Sequence, residues 1–246
     1  FGELTGRHYG PYEYRGHPEA TDIIVAAGSS VSTLNATTEY LLREDPNRRI
    51  GVVNIRAFRP FLGKHFVASL PPTIERIAVL DRTMTHTAQD EPLCADVRAA
   101  VTMAAQGLSG MPKLPRVPMV TGGIYGLAGK DFHPGSVIEV FTHLESIRDT
   151  DRYWTGFTVG VVDDVMQSSL PMIEPPDIFD HDKAHQARIV AFGSDGTVSM
   201  VKAAAQIYAG QPSLETPGDT LHIASHAEYD SKKAGGVTVS HFRAST

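Results

Sequence analysis

Apolar residues fall in short unbroken runs that alternate with longer stretches of helical period. Thr21 to Ala27 (T-D-I-I-V-A-A) reads as a buried strand, and a Gly-Ser turn then leads into a helix over Val31 to Arg43. The pattern recurs, with strand Ile50 to Ile55, a loop around Phe58 to Phe61, a short helix from Lys64 to Ser69 and strand Arg76 to Asp81. An amphipathic helix over Asp96 to Gln106 follows, then a Pro- and Gly-containing connection from Gly107 to Pro118. Beyond it come strand Met119 to Thr121, a turn at Gly122 and Gly123, a helix from Pro134 to Leu144 and strand Phe157 to Val162. Runs apolar along their whole length are strands covered on both faces, so this alternation predicts βαβ units and an α/β, doubly wound parallel sheet.

Residues 170–183 are rich in Pro, Asp and Glu and lack periodicity, which predicts a linker. A second α/β unit is expected to start at Ala187, with a helix to Tyr208, a polar loop over Gln211 to Asp219, a strand at Leu221 to Ser225 and a β-branched tail. No repeat or low-complexity tract interrupts the chain.

The 28 acidic and 22 basic residues give a net charge of -6, and the basic ones are scattered, so nucleic acid is not an expected partner. One cysteine, Cys94, excludes an internal disulfide framework or a Cys-ligated cluster within these residues and points to a reducing compartment, cytoplasm or mitochondrion. No apolar run approaches the roughly 20 residues needed to span a bilayer, so no membrane partner is expected. The first residue is Phe1 rather than Met, and the opening segment has neither signal-peptide nor transit-peptide character, which suggests a piece of something longer.

Three glycine corners carry the candidate chemistry. In I-V-A-F-G-S-D-G-T-V-S-M-V-K (189–202) a strand breaks at Gly193, Ser194 and Gly196 and reopens as a helix at Thr197. Amides at such a bend and the positive end of the helix dipole suit an anion, although the P-loop Lys-Ser/Thr pair is absent; a tight turn that binds nothing is the alternative. T-G-G-I-Y-G-L-A-G-K ends on Lys130, which could neutralise a phosphate or carboxylate or simply be a surface lysine. S-K-K-A-G-G-V-T-V holds Lys232 before a glycine pair, either to close over the first corner or to enter a hairpin. Asp163 and Asp164 end a strand at the ligand-facing rim, or cap the next helix. His181 and His185 stand four apart within the predicted linker, and no metal site is assigned.

These same segments resemble the pyruvate:ferredoxin (flavodoxin) oxidoreductase family, whose members are thiamine-dependent 2-oxoacid oxidoreductases. L-T-G-R-H-Y with Tyr14 and Pro18 looks like the exit from a pyrimidine-binding domain (1–20). I-I-V-A-A-G-S-S, I-G-V-V-N-I-R-A-F-R-P-F, L-P-P-T-I-E-R-I-A-V-L-D-R-T, E-P-L-C-A-D-V and G-G-I-Y-G-L-A-G-K-D-F-H-P resemble domain II (21–169), related to the transketolase C-terminal domain. F-G-S-D-G-T-V-S-M-V-K and Y-D-S-K-K-A-G-G-V-T-V-S-H-F-R are similar to the start of a gamma-type domain III (187–246) after a linker at 170–186.

The resemblance implies oxidative decarboxylation of pyruvate to acetyl-CoA with thiamine diphosphate, Mg, iron-sulfur clusters and coenzyme A. It also implies a homodimer, the remaining domains of a parent enzyme, and ferredoxin, flavodoxin or a fused flavin domain as electron acceptor. Only coenzyme A would be contacted here, with Gly193, Ser194, Gly196 and Thr197 around a phosphate and Lys202 or Lys232 supplying charge. The pattern departs at Ile124, where the family usually has Arg, at Val201, where it usually has Asn, and over residues 82–88, which replace a Lys-Glu-Pro-Gly stretch. Related scaffolds in NADPH-dependent flavoprotein fusions, such as sulfite reductase subunits or pyruvate:NADP oxidoreductase, imply the alternative of a non-catalytic structural module.

Overall fold

The computed structural model describes residues 2–85, 88–108, 110–148, 155–162, 165–178, 184–192, 196–209, 224–229 and 237–245. The chain divides into two compact units, Phe1–Ile178 and Phe179–Thr246.

In the first unit, β1 (Tyr12–Gly16), β2 (Asp22–Ala27), β3 (Ile50–Ile55), β4 (Arg76–Asp81), β5 (Met119–Tyr125) and β6 (Phe157–Val159) form one sheet in the order β1-β3-β2-β4-β5-β6. Every neighbouring pair is parallel except β1 with β3. Helix α1 (Gly2–Thr5) precedes the sheet, and α2 (Ser30–Glu44), α3 (Gly63–Ser69), α4 (Pro92–Ala105) and α5 (Pro134–Ser146) connect the strands. One face packs Ile23, Val25, Val53, Ile77 and Val79 with residues of α3 and α4; the other packs Ile24, Val52, Ala78 and Leu80 with residues of α2 and α5. Buried on both faces, β3 and β4 are covered at every position.

The structure departs from the sequence reading where long-range contacts outweigh local signals. Gly122 and Gly123 lie inside β5 rather than in a turn. A side chain at Gly123 would run into the ring of Phe157 on β6, and one at Gly122 would meet Cys94 Sγ of α4 at 3.1 Å. Helix α4 starts at Pro92, before the expected Asp96, because a carboxylate from β4 caps it. β6 stops at Val159, short of Val162. Residues 12–16 add an antiparallel edge strand, held where Tyr12 Oη accepts from Leu62 N at 2.7 Å and the Tyr14 ring lies over Gly51. Within the predicted linker, Leu170 and Ile178 are buried and most of the residues between them are exposed, with Arg43 Nη2 donating to Ile178 O at 3.2 Å.

In the second unit, β7 (Ala184–Phe192), β8 (Ala224–Tyr229) and β9 (Val237–Ser245) make an antiparallel sheet in the order β7-β9-β8, with α6 (Thr197–Ala209) against β8 and β9. β7 starts before Ala187 and takes in His185, and β8 runs from Ala224, later than the strand expected from Leu221.

Candidate functional site

The first candidate is the corner between β7 and α6. Gly193 and Ser194 lie outside the described residues, as do Lys232, the Asp163–Asp164 pair and His181. Gly196 closes the bend at φ +86, a left-handed conformation that favours glycine, and is exposed, with open space where a side chain would point. Thr197 starts α6, a helix of 13 residues whose first turn holds no acidic residue. Intrahelical bonding begins with Met200 N donating to Gly196 O at 3.1 Å, so the N-H groups ahead of it have no partner within the helix. Lys202 is exposed on α6, whereas Val201 beside it is buried at 1% exposure.

The second candidate is the carboxyl edge of the six-stranded sheet. β2 connects leftward to β3 while β4 leads rightward to β5, so the connections diverge between β2 and β4, where open α/β sheets form a crevice. Gly28 turns at φ +83, Ser30 Oγ and Tyr125 Oη share a hydrogen bond of 2.8 Å, and Tyr125 Oη donates to Ala27 O at 3.3 Å. Arg82 Nε donates to Gly126 O at 3.0 Å. These groups orient a ligand or one another; they do not constitute an acid-base pair. The sequence showed Gly28 and Ser29 only as a turn, because Tyr125 is brought to them from a distant strand. Lys130 is exposed beyond the 3-10 turn Leu127–Gly129, off this crevice's hydrogen-bond network. It belongs to the first unit and Lys202 to the second.

Next to the crevice, Asp81 at the end of β4 accepts from Leu93 N and Cys94 N, each at 3.1 Å, and so caps α4 from another element. Burial holds the Asp81 carboxyl above its ordinary value, an effect that those two amides only partly offset. Glu91 accepts from Thr85 N at 2.7 Å and Thr85 Oγ1 at 2.9 Å, and Arg98 forms a two-pronged pair with Asp90 at 2.7 and 3.0 Å. All three carboxylates of this corner therefore hold structure. Ile124, in register with Asp81, is buried at 8% exposure and offers it no donor.

Burial, reinforced by Asp90, pushes the Cys94 thiol up to about 12 from 9.0. A thiol so placed is a poor metal ligand, since ligation requires the thiolate. Because its folded value lies above its unfolded one, Cys94 contributes full stability below about pH 9 and loses it as pH rises towards 12. A disulfide reagent at mildly alkaline pH is expected to label the thiol only after denaturant is added; rapid labelling of the folded chain would contradict this burial. Among the described residues no three His, Cys, Asp or Glu side chains gather as a metal-binding group, and no helix is long and apolar enough to cross a membrane.

Comparison with known proteins agrees with this frame. Residues 20–137 match the family model described as pyruvate:ferredoxin oxidoreductase core domain II. The pyruvate-flavodoxin oxidoreductase of Klebsiella pneumoniae is 38% identical over 240 residues, 98% of this chain and 18% of that protein. The pyruvate:ferredoxin oxidoreductase of Moorella thermoacetica is 36% identical over 242 residues, again 98% of this chain and 18% of that protein. The chain thus spans about a fifth of the length of the relatives it matches. A solved 2-oxoglutarate:ferredoxin oxidoreductase from Magnetococcus marinus, with 2-oxoglutarate, coenzyme A and succinyl-CoA bound, aligns over 57% of this chain and 20% of its own at a TM-score of 0.38 and 16% identity, too slight a likeness to build on. With one relative after another aligned along almost its whole length, the chain belongs to the pyruvate:ferredoxin (flavodoxin) oxidoreductase family.

Proposed function

We propose that this chain is the domain II and early domain III portion of an enzyme that oxidatively decarboxylates pyruvate to acetyl-CoA, and that it contributes coenzyme A contacts and dimer packing. The observation that carries the coenzyme A reading is the corner at Gly196 and Thr197: a left-handed glycine with open space beside it, a first helical turn without acidic residues, and Lys202 exposed on the same helix. Phosphate oxygens would accept from the first amides of α6 and from the Thr197 hydroxyl, with Lys202 adding charge.

The residues described do not fit the other groups that the family uses. The buried, protonated thiol of Cys94 is unsuited to an iron-sulfur cluster, and the carboxylates of the β4–α4 corner are committed to amides, Thr85 and Arg98. Thiamine diphosphate with Mg and the clusters are therefore assigned to other parts of the parent enzyme, along with the ferredoxin or flavodoxin contact. Calorimetric titration of the intact parent with coenzyme A is expected to give micromolar-range affinity, weakened by Thr197→Val and by Lys202→Ala.

A second reading has its own support. Ile124 and Val201 are packed into the interior, so two positions where the family places hydrogen-bonding side chains serve packing here. A structural module of a flavoprotein fusion, of the sulfite reductase or pyruvate:NADP oxidoreductase kind, would keep such a scaffold without the ligand. No heat with coenzyme A, together with loss of the dimer on deleting this segment, favours that reading.

A further inference from the structure

Opposite the carboxyl-edge crevice, the amino-terminal ends of the strands floor an open cavity of about 580 Å³ that none of the chemistry above uses. Its floor is the ion pair of Asp22 and Arg76, the first residues of β2 and β4, whose side chains are 4% and 9% exposed. Glu75 beside them is spent on Arg76 and Arg116. The walls come from the segment after α2, with Asn47, Arg48 and Arg49, and from the end of α5, with Glu145 and Arg148.

Donors outnumber acceptors among the described residues that line this cavity. Arg48 gives one nitrogen to Glu145 Oε1 at 3.1 Å, and Arg49 gives one to Glu19 at 3.3 Å. The Arg148 guanidinium donates to none of the described residues, and the Asn47 side-chain amide is likewise unspent. A guanidinium carries five N-H donors and no acceptor, so three of them leave many donors unsatisfied against the free oxygen of Glu145. The C-terminal ends of α2 and α5 add carbonyl charge of the opposite sign, which Arg48 and Arg148 offset.

We propose that this cavity binds a small molecule bearing phosphate or carboxylate groups, held between the guanidinium groups of Arg49 and Arg148 and buttressed by Arg48. Planar guanidinium groups suit paired oxygens of either kind. The volume lies within the roughly 300–1,000 Å³ typical of small-molecule sites and exceeds what a single inorganic ion fills. The site is in the first unit and does not rest on the coenzyme A reading of the β7–α6 corner.

The test is calorimetric titration of the full chain with pyrophosphate and, separately, with citrate, at constant ionic strength. Saturable binding of one of them is expected, and which one identifies the oxyanion preferred. Arg148→Gln should weaken it at least about tenfold, the loss of one charge-assisted contact. Glu145→Gln should tighten it about threefold, because it releases Arg48 and removes a like charge. Thermal melts of both variants check that the fold is intact. Absence of saturable heat with both probes overturns the proposal, as does affinity that Arg148→Gln leaves unchanged or Glu145→Gln weakens.

Discussion

Replacing Arg76 by Met is expected to destabilise the first unit by about 3–5 kcal/mol, the cost of leaving a buried carboxylate without its cation. Asp22 takes Arg76 Nη2 at 2.8 Å and Nε on its two oxygens, and also accepts from Thr21 Oγ1 at 2.9 Å. At 4% exposure it relies on the guanidinium rather than on water, and the cavity above the pair would give it only partial hydration once the guanidinium is gone. The pair joins the first residues of two adjacent strands, so the loss falls on the register of β2 against β4. The double variant Asp22→Leu, Arg76→Met should recover most of the loss, since hydrophobic replacement of a buried pair is often neutral. Urea unfolding midpoints decide the matter: a single-variant loss below about 1 kcal/mol would mean that the pair behaves like an exposed one.

Gly123→Ala should be nearly as damaging, at about 3 kcal/mol, the upper range for overpacking a tight interior. The added methyl would overlap the Phe157 ring and approach Leu80 Cδ2 at 2.9 Å. Phe157 is fully buried, with the His143 ring 4.6 Å away, so neither neighbour has room to retreat. Combining Gly123→Ala with Phe157→Leu should cost less than the sum of the two single changes, because the smaller side chain vacates the space that the methyl needs. Additive losses in the same unfolding measurement would place the strain elsewhere.

These two sites also separate what could be read from the chain from what could not. The runs at 22–27, 50–55 and 76–81 were legible because parallel strands covered by helices on both faces must be apolar throughout, and their observed bounds agree with the reading to within a residue. α5 was legible from its period and from Pro134 at its start. β1 was not, because Y-E-Y-R-G is a half-exposed edge strand whose pairing is set by Tyr12 and Tyr14 finding partners far along the chain. The glycine pair of β5 was misread as a turn, since local rules treat Gly-Gly as a breaker while the Phe157 ring that fills the space arrives from another strand.

The candidate sites divide in the same way. The left-handed bend at Gly196 and the start of α6 at Thr197 follow from a glycine between an apolar run and a helical period, both visible in the residues alone. The antiparallel order β7-β9-β8 was not visible, because strand order depends on pairing between distant segments.

By itself the sequence determined the family, the layered α/β character of the first unit and the places where backbone would bend sharply, all of which depend on neighbouring residues. Only the tertiary structure decided that Asp81 caps α4, that Asp22 and Arg76 are buried together, and that Arg48, Arg49 and Arg148 share a cavity. Those outcomes rest on side chains from separate elements meeting in space, and no local pattern encodes such a meeting.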